Sequence, residues 1–270
     1  MIKITNKNWI QWFMGFIEAE GNFQIFKKRR INKTKNIEYY NIGYGFHLSL
    51  NIRDRELIQE IHKNLNYLGK IYEYNCKRQE VRLAVTKLED LKWLILNIFE
   101  ISPLLTKHQK ERYYRFQYGV LNKFNRLENL QEYQQFLNTS YVKKLESVPL
   151  VHNTDTHMCV FNKTFDNWMS GFINGEGSFS IGRNGNLMFH IEQIESEVLY
   201  LIKIRLNLLQ NIHLRKKRKE NRKDTYTLTI TSKKDIKALI EFFENPNIIP
   251  LQGHKAIQYL KFKNHYYSRT

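Results

Sequence analysis

Apolar residues fall at helical spacing over residues 7 to 20, and the period then changes, because residues 22 to 26 alternate polar and apolar as a half-buried strand does. A second alternating strand ends near residue 52, and an amphipathic helix follows from Asp54 to Leu68. Residues 69 to 75 and 80 to 86 read as a hairpin, and Leu88 to Phe99 as another helix. The order is αββαββα. It then recurs. Residues 12 to 25, WFMGFIEAEGNFQI, lie on residues 168 to 181, WMSGFINGEGSFSI, with eight of fourteen positions identical. The register persists with small indels. Phe46-His-Leu48 and Asp54-x-x-Leu57-Ile58-x-x-Ile61 pair with Phe189-His-Ile191 and Glu197-x-x-Tyr200-Leu201-x-x-Ile204. Leu83-x-Val85-Thr86 with Asp90 pairs with Leu228-x-Ile230-Thr231 with Asp235, and Pro103-Leu104 with Pro250-Leu251.

The pattern predicts an α+β chain built from a duplicated unit of about 110 residues. Each copy carries a four-stranded antiparallel sheet with one face covered by helices and the other open to a partner. The N-terminal half spans residues 1–125, a polar linker that starts helical and turns irregular spans 126–160, and the C-terminal half spans 161–270. The first copy is longer in its early hairpin, around residues 28 to 45.

Composition narrows the partner. With 43 Lys and Arg against 26 Asp and Glu the formal charge is +17, which opposes compaction and is compensated by a polyanion, either nucleic acid or an anionic membrane surface. At 42% hydrophobic and 14% aromatic residues with four prolines, wholesale disorder is excluded. No apolar run approaches the roughly 20 residues that cross a bilayer, and the start has no apolar signal core, so a soluble intracellular protein without membrane contact is expected. No long amphipathic helix with a Lys-rich face supports membrane-surface binding either. Cys76 and Cys159 lack metal-ligand spacing and read as reduced thiols. Abundant Asn, Ile, Lys, Tyr and Phe with scarce Ala have AT-rich codons, pointing to an organellar genome, mitochondrial or chloroplast, with a cytoplasmic or nuclear location otherwise.

Local rules break at one place in each copy. Glu20 and Glu176 sit in the last turn of an apolar helix, facing the negative end of its dipole, immediately before Gly21 and Gly177, which read as C-terminal capping glycines. Gly15 lies four residues before Ala19, and Gly171 four before Gly175, spacing that lets two helix backbones approach closely. If the two helices pack together, the two acids stand side by side, a hard-oxygen site for Mg2+ or a similar ion. A core helix with an exposed acid would explain one copy, but the acid is kept in both.

FMGFIEAEG and MSGFINGEG resemble the two signature motifs of a single-chain LAGLIDADG homing endonuclease, and the likeness covers nearly the whole chain. The resemblance implies signature helices at the interface of two halves, and two sheets forming a saddle over the DNA major groove. Glu20 and Glu176, with Ala19 and Gly175 beside them, then form the metal site for Mg2+ or Mn2+, with Ca2+ a non-productive substitute. It also implies a basic and a polar residue near the attacking water. Lys255 and Gln193 match these in the second copy, where the first copy has His108, with Lys107 adjacent, and Leu50.

Strand alternation sends Asn22, Gln24, Lys28, Ser178 and Ser180 to the open face if Phe23, Ile25, Phe179 and Ile181 point inward. His47, Ser49, Arg82, His190, Glu192, Thr227 and Thr229 follow by the same rule, as base-reading or phosphate-holding candidates. The basic runs KKRR at 27–30 and RKKRK at 215–219 lie in hairpins of opposite copies, adding Arg30, Arg215 and Lys217. The expected function is metal-dependent double-strand cleavage of a long, asymmetric DNA target by a monomer acting as a pseudo-dimer. The alternatives are a maturase that binds its own intron RNA and a non-catalytic DNA-binding protein on the same fold. Loss of a signature acid would have favoured either.

Overall fold

A computed structural model describes residues 6–34, 36–74, 79–102, 104–145, 163–217 and 223–269. Cys76, Cys159, Pro103, the linker beyond residue 145 and the end of the second basic run, Arg218 and Lys219, lie outside the described residues. The first copy runs α1 (Lys7–Glu20), β1 (Gly21–Asn32), β2 (Ile37–Asn51), α2 (Arg55–Asn64), β3 (Lys70–Tyr74), β4 (Glu80–Val85), α3 (Leu88–Leu94) and α4 (Lys107–Leu121). A two-residue strand β5 (Arg126–Leu127) and α5 (Leu130–Leu145) follow. The second copy runs α6 (Lys163–Glu176), β6 (Ser178–Ile181), β7 (Leu187–Gln193), α7 (Glu197–Arg205), β8 (Ile212–Arg215), β9 (Thr225–Ile230), α8 (Lys233–Phe243) and α9 (Gly253–Tyr267).

Each copy therefore closes with one helix more than the αββαββα string. In α4 the buried Tyr113, Phe116 and Val120 repeat at helical spacing inside an otherwise polar segment. The helix expected from Leu88 to Phe99 is α-helical only to Leu94 and continues as a π-helical turn over Ile95–Phe99.

Both sheets are antiparallel, ordered β1-β2-β4-β3 and β6-β7-β9-β8. The first gains a fifth strand, because β5 pairs with β2 at Tyr40 and Asn41. The long first hairpin is paired out to Asn32 opposite Ile37.

The cores repeat side chain for side chain. Phe23 lies 5.6 Å from Phe46, 5.3 Å from Phe99, 5.1 Å from Tyr113 and 5.5 Å from Phe116, centroid to centroid. Phe179 stands the same way to Phe189 at 5.0 Å, Phe243 at 6.3 Å, Tyr259 at 5.4 Å and Phe262 at 5.4 Å. Edge-on and tilted rings at these separations add stabilisation beyond area burial. The sequence pairing of α2 with α7 needs correction by two residues. Val198, Leu199 and Ile202 take the buried places of Leu57, Ile58 and Ile61, whereas Tyr200 and Ile204 are about half exposed. An apolar residue on nearly every turn position of α7 hid the register. Ile25 is half-buried and Ile181, at its strand end, is exposed, so only Phe23 and Phe179 enter the cores fully.

By contact, β1 to α5 form one compact unit, while α1, Leu104–Thr106 and everything from α6 onward form the other. In this second unit α1 packs on α6. Ile10, Trp12, Phe13, Met14, Phe16 and Ile17 are all buried, which is why α1 is apolar nearly all round. The crossing is backbone against backbone. A Cβ at Gly15 would sit 1.9 Å from the Trp168 carbonyl oxygen, and one at Gly171 would sit 1.8 Å from that of Trp12. No helix among the described residues is long and apolar enough to cross a membrane.

Candidate active site

The glycines that allow α1 and α6 to touch bring their C-terminal ends together. A Cβ at Gly175 would lie 2.4 Å from Ala19 Cβ, 3.2 Å from Glu20 Cγ and 3.6 Å from Glu20 Oε1. The Glu20 side chain thus lies along the backbone of the residue that precedes Glu176. Both acids are half-buried. The capping reading of the following glycines is not what the backbone shows. Among the described residues only Gly69, Gly185 and Gly253 are glycines with left-handed φ, so Gly21 and Gly177 leave their helices without that turn. Gly177 is small for space: a Cβ there would meet Ile173 O at 2.7 Å and Ile173 Cγ2 at 2.8 Å. Gly21 passes straight into β1.

Side chains on the paired helices also hold the segments that lead into α4 and α9. Glu18, fully buried, accepts from Leu105 N at 2.6 Å, Thr106 N at 2.7 Å, Thr106 Oγ1 at 2.6 Å and Trp168 Nε1 at 3.0 Å. Burial pushes its carboxyl above the ordinary value, and the hydrogen bonds from Thr106, Leu105 and Trp168 pull the other way. In the second copy Asn174 Oδ1 accepts from Gln252 N at 2.5 Å and Asn167 Oδ1 from Ile249 N at 2.8 Å, while Ser170 Oγ donates to Ile249 O at 2.6 Å. The backbone groups just after Leu104 and on either side of Pro250-Leu251 are thus received by the paired helices, so the next helix starts at a set place. The match is not complete. Glu18 has two oxygens where Asn174 has one, and among the described residues the buried Trp12 Nε1 has no hydrogen-bond partner although Trp168 Nε1 does.

Lys255 on α9 donates from Nζ to the Gly177 carbonyl, one residue beyond Glu176. In the first copy the Gly21 carbonyl receives Gln109 Nε2 at 3.1 Å. Counting back from the matched rings Tyr113 and Tyr259, Gln109 and Lys255 occupy the same helical position. Gln109, not His108, therefore stands opposite Lys255. The sequence pairing was one residue off because α4 begins four residues after Pro103, whereas α9 begins three after Pro250. Lys107 opens α4 exposed, and His108 is half-buried. Gln193 lies on the helix-covered side, paired with Tyr226 and 8% exposed.

Strand register sorts the remaining residues. Asn22 pairs with His47, Ser49 with Arg82, and Gln24, Lys28 and Arg30 share their face of the first sheet. In the second sheet Ser178 pairs with His190 and His190 with Thr229, while Glu192 pairs with Thr227; Ser180 and Arg215 share that face. Lys217, past the end of β8, is exposed. The faces are preorganised by internal contacts. Arg82 Nε donates to Ser49 Oγ at 2.9 Å, and His190 Nδ1 lies 2.9 Å from Thr229 Oγ1. The Thr225 hydroxyl, at 2.6 Å, and the Arg215 guanidinium hold the Glu192 carboxyl below the usual range. Burial, and then the Arg82 charge, lower the His47 imidazole, which leaves it neutral near pH 7 with one donor and one acceptor.

Register also adds residues that sequence reading missed. Tyr72 and Tyr74 share the open face with Arg82, whose guanidinium lies 5.4 Å from the Tyr74 ring. Arg126 joins it through β5, 4.2 Å from the Tyr39 ring, and Arg112 reaches Asn22 Oδ1 at 3.1 Å. A two-residue strand has no periodicity, and the cross-strand partners become visible only once register is known.

Residues 13–120 and 169–266 match the sequence model described as LAGLIDADG endonuclease. The chain is 27% identical over 265 residues to the probable intron-encoded endonuclease Cox1-I1b of Schizosaccharomyces pombe, a match covering 94% of this chain and 62% of that protein. It is 25% identical over 209 residues to the uncharacterized mitochondrial protein RF1 of Saccharomyces cerevisiae, covering 76% of this chain and 39% of that one. The chain thus spans about two-fifths to three-fifths of the length of these two relatives. The I-LtrWI LAGLIDADG homing endonuclease bound to target DNA superposes with a TM-score of 0.70 at 22% identity, over 98% of this chain and 91% of that one.

Proposed function

Because the chain belongs to the LAGLIDADG endonuclease family, we propose that it is a site-specific homing endonuclease. It hydrolyses one phosphodiester bond in each strand of a long, asymmetric double-stranded DNA, acting as a monomer with two pseudo-symmetric halves. The observation that carries the reading is the Glu20 side chain lying against Gly175, next to Glu176, at the end of a glycine-mediated helix crossing.

The donor set fits a hard divalent cation, Mg2+ or Mn2+. Its two side-chain donors are carboxylates, the hard oxygen ligands that such ions prefer. Glu20 and Glu176 are the side chains that would hold it; among the described residues no cluster of three or more His, Cys, Asp or Glu side chains offers another site. Such an ion, when bound, lowers the pKa of a coordinated water and shields charge on the phosphate. The chain's own residues do the positioning. Lys255, anchored beside Glu176, offers its ammonium to the charge that develops as the phosphodiester opens. Gln109, in the same place in the first copy, is neutral, so the two halves differ chemically. Asn22, Gln24, Ser49, Ser178, Ser180 and Thr229 read base edges, while Lys28, Arg30, Arg82, Arg215 and Lys217 hold phosphates. Glu192, kept ionised, accepts from a cytosine amino group. The abundance of residues whose codons are AT-rich and the mitochondrial relative support an organellar, most simply mitochondrial, home.

The test is incubation of the full chain with duplex DNA spanning the intronless host gene. A break at one site with Mg2+ and none with EDTA is expected, and cutting in EDTA, or none with either Mg2+ or Mn2+, would remove the reading. Changing Lys255→Met slows cleavage about a hundredfold, the scale of losing one positioned proton-transfer or charge-stabilising group. The dissociation constant measured in Ca2+ stays within about twofold, because the Lys255 ammonium is held at the Gly177 carbonyl and not among the cations of the open sheet faces. A pure affinity loss would make Lys255 a phosphate contact instead.

A further inference from the structure

We propose that Phe26 is a specificity determinant that selects a thymine, through its 5-methyl group, in the part of the target held by the first sheet. The inference rests on the DNA-cleaving reading above and names what one position of that site recognises.

Alternation fixes the orientation. Phe23 is buried in the core, so Gln24, Phe26 and Lys28 project from the opposite face. Phe26 is 46% exposed there, an aromatic ring set between an amide and an ammonium. Across from it on β2, a strand inside the sheet, stands Gly43. Glycine weakens a strand interior and needs a reason such as the close approach of another group. The reason is the ring itself. A Cβ on Gly43 would come within 2.1 to 2.9 Å of Phe26 Cε2, Cζ and Cδ2, so the ring lies across bare backbone instead of standing off the sheet. Two residues along, Gly45 lies under the His47 imidazole in the same manner, with a Cβ there 2.9 Å from His47 Nε2. Alternate glycines on β2 thus leave a recess that two rings fill.

Shielding of the glycine backbone alone would not require an apolar ring, since His47 covers Gly45 as a polar one. What a phenyl ring adds is a surface with no hydrogen-bonding group. In the major groove the thymine 5-methyl is the base-edge feature that such a surface can match. Along β1 the side chains run amide, ring, ammonium at Gln24, Phe26 and Lys28. Alternate residues are about 6.8 Å apart, close to two base-pair steps of about 3.4 Å. The second sheet has no equivalent ring: Ser180 pairs with Met188 and β6 ends at Ile181. The preference therefore belongs to one half of the target.

The test uses duplexes enriched by the full chain from a randomised pool in Ca2+, with each thymine then replaced singly by deoxyuridine, which deletes only the methyl. At one thymine the wild-type chain should bind about fourfold more weakly after replacement, the weight of one methyl in an apolar contact. Phe26→Ala should bind the thymine and uracil duplexes alike, and Phe26→Leu should keep part of the difference. Wild-type indifference to every replacement, or undiminished sensitivity in Phe26→Ala, overturns the assignment while the enriched site still supports the DNA reading. If no sequence is enriched, the DNA reading falls and this inference with it.

Discussion

Glu20→Gln or Glu176→Gln, made singly, lowers double-strand cleavage about a thousandfold or more while the protein still holds its DNA. The size follows from the chemistry lost: a metal-derived stabilisation of several kcal/mol, about 4 kcal/mol, corresponds to roughly a thousandfold in rate. Glutamine has the shape of glutamate, so packing along Gly175 survives, but its amide is neutral and a weaker ligand for a hard cation. A thermal melt separates this result from unfolding: each acid faces the negative end of its helix, an unfavourable placement of about 0.3 to 1 kcal/mol that the neutral amide relieves. The melting temperature should hold or rise slightly. Affinity in Ca2+ should not fall on electrostatic grounds either, since the formal charge goes from +17 to +18. A plasmid assay that separates nicks from full breaks, run beside a gel shift, measures both properties. Wild-type cutting by either variant would remove that acid from the metal site.

The second large effect is on stability. Gly171→Ala lowers the melting temperature by about 4 to 12 °C. Two contributions compete. Alanine is the better helix former by about 1 kcal/mol. Against that, the new methyl would stand 1.8 Å from the Trp12 carbonyl oxygen and 3.0 Å from Phe16 N, backbone atoms that cannot swing aside. The helices must separate, and overpacking of this kind costs typically 1 to 3 kcal/mol, more where the backbone itself must move. With the backbone-against-backbone clash taken at about 3 to 4 kcal/mol, the top of that range and slightly beyond, and the gain of about 1 kcal/mol subtracted, the net loss is about 2 to 3 kcal/mol. That loss translates at roughly 2 to 4 °C per kcal/mol for chains of this size. Gly15→Ala should match it, with its methyl 1.9 Å from the Trp168 oxygen. Cleavage should fall too, because the same crossing sets the separation of Glu20 and Glu176. A thermal melt showing equal or higher stability would mean that the helices do not cross as closely as described.

Much of this arrangement was legible in the sequence because its signals are local or repeated. The change from helical to alternating period placed α1 and β1, and the duplication of Gly15 and Glu20 as Gly171 and Glu176 marked the crossing. Alternation from Phe23 assigned Asn22, Gln24 and Lys28 to one face, and strand register agrees. What was missed depends on distances in space. A one-residue difference in the loop after Pro103 shifted Lys255 onto His108 instead of Gln109, and only the repeated aromatic core settles that count. Glu18 looked like an ordinary residue of an apolar helix, because its partners at Leu105, Thr106 and Trp168 are 87 to 150 positions away. Arg126 became part of the open face through a strand too short to have a pattern.

The unmatched Trp12 Nε1 marks a freedom that two separate identical subunits do not have. In a homodimer every substitution near the twofold axis is made twice, so a buried Glu18 would bring a second buried carboxylate with it, close to two more that already repel each other. In one continuous chain the change to asparagine at position 174 affects one side only, at the cost of a single orphaned indole N–H. The half with the carboxylate and the half with the amide can then drift apart in what they bind, and the sequence such a protein recognises is released from having to be a palindrome.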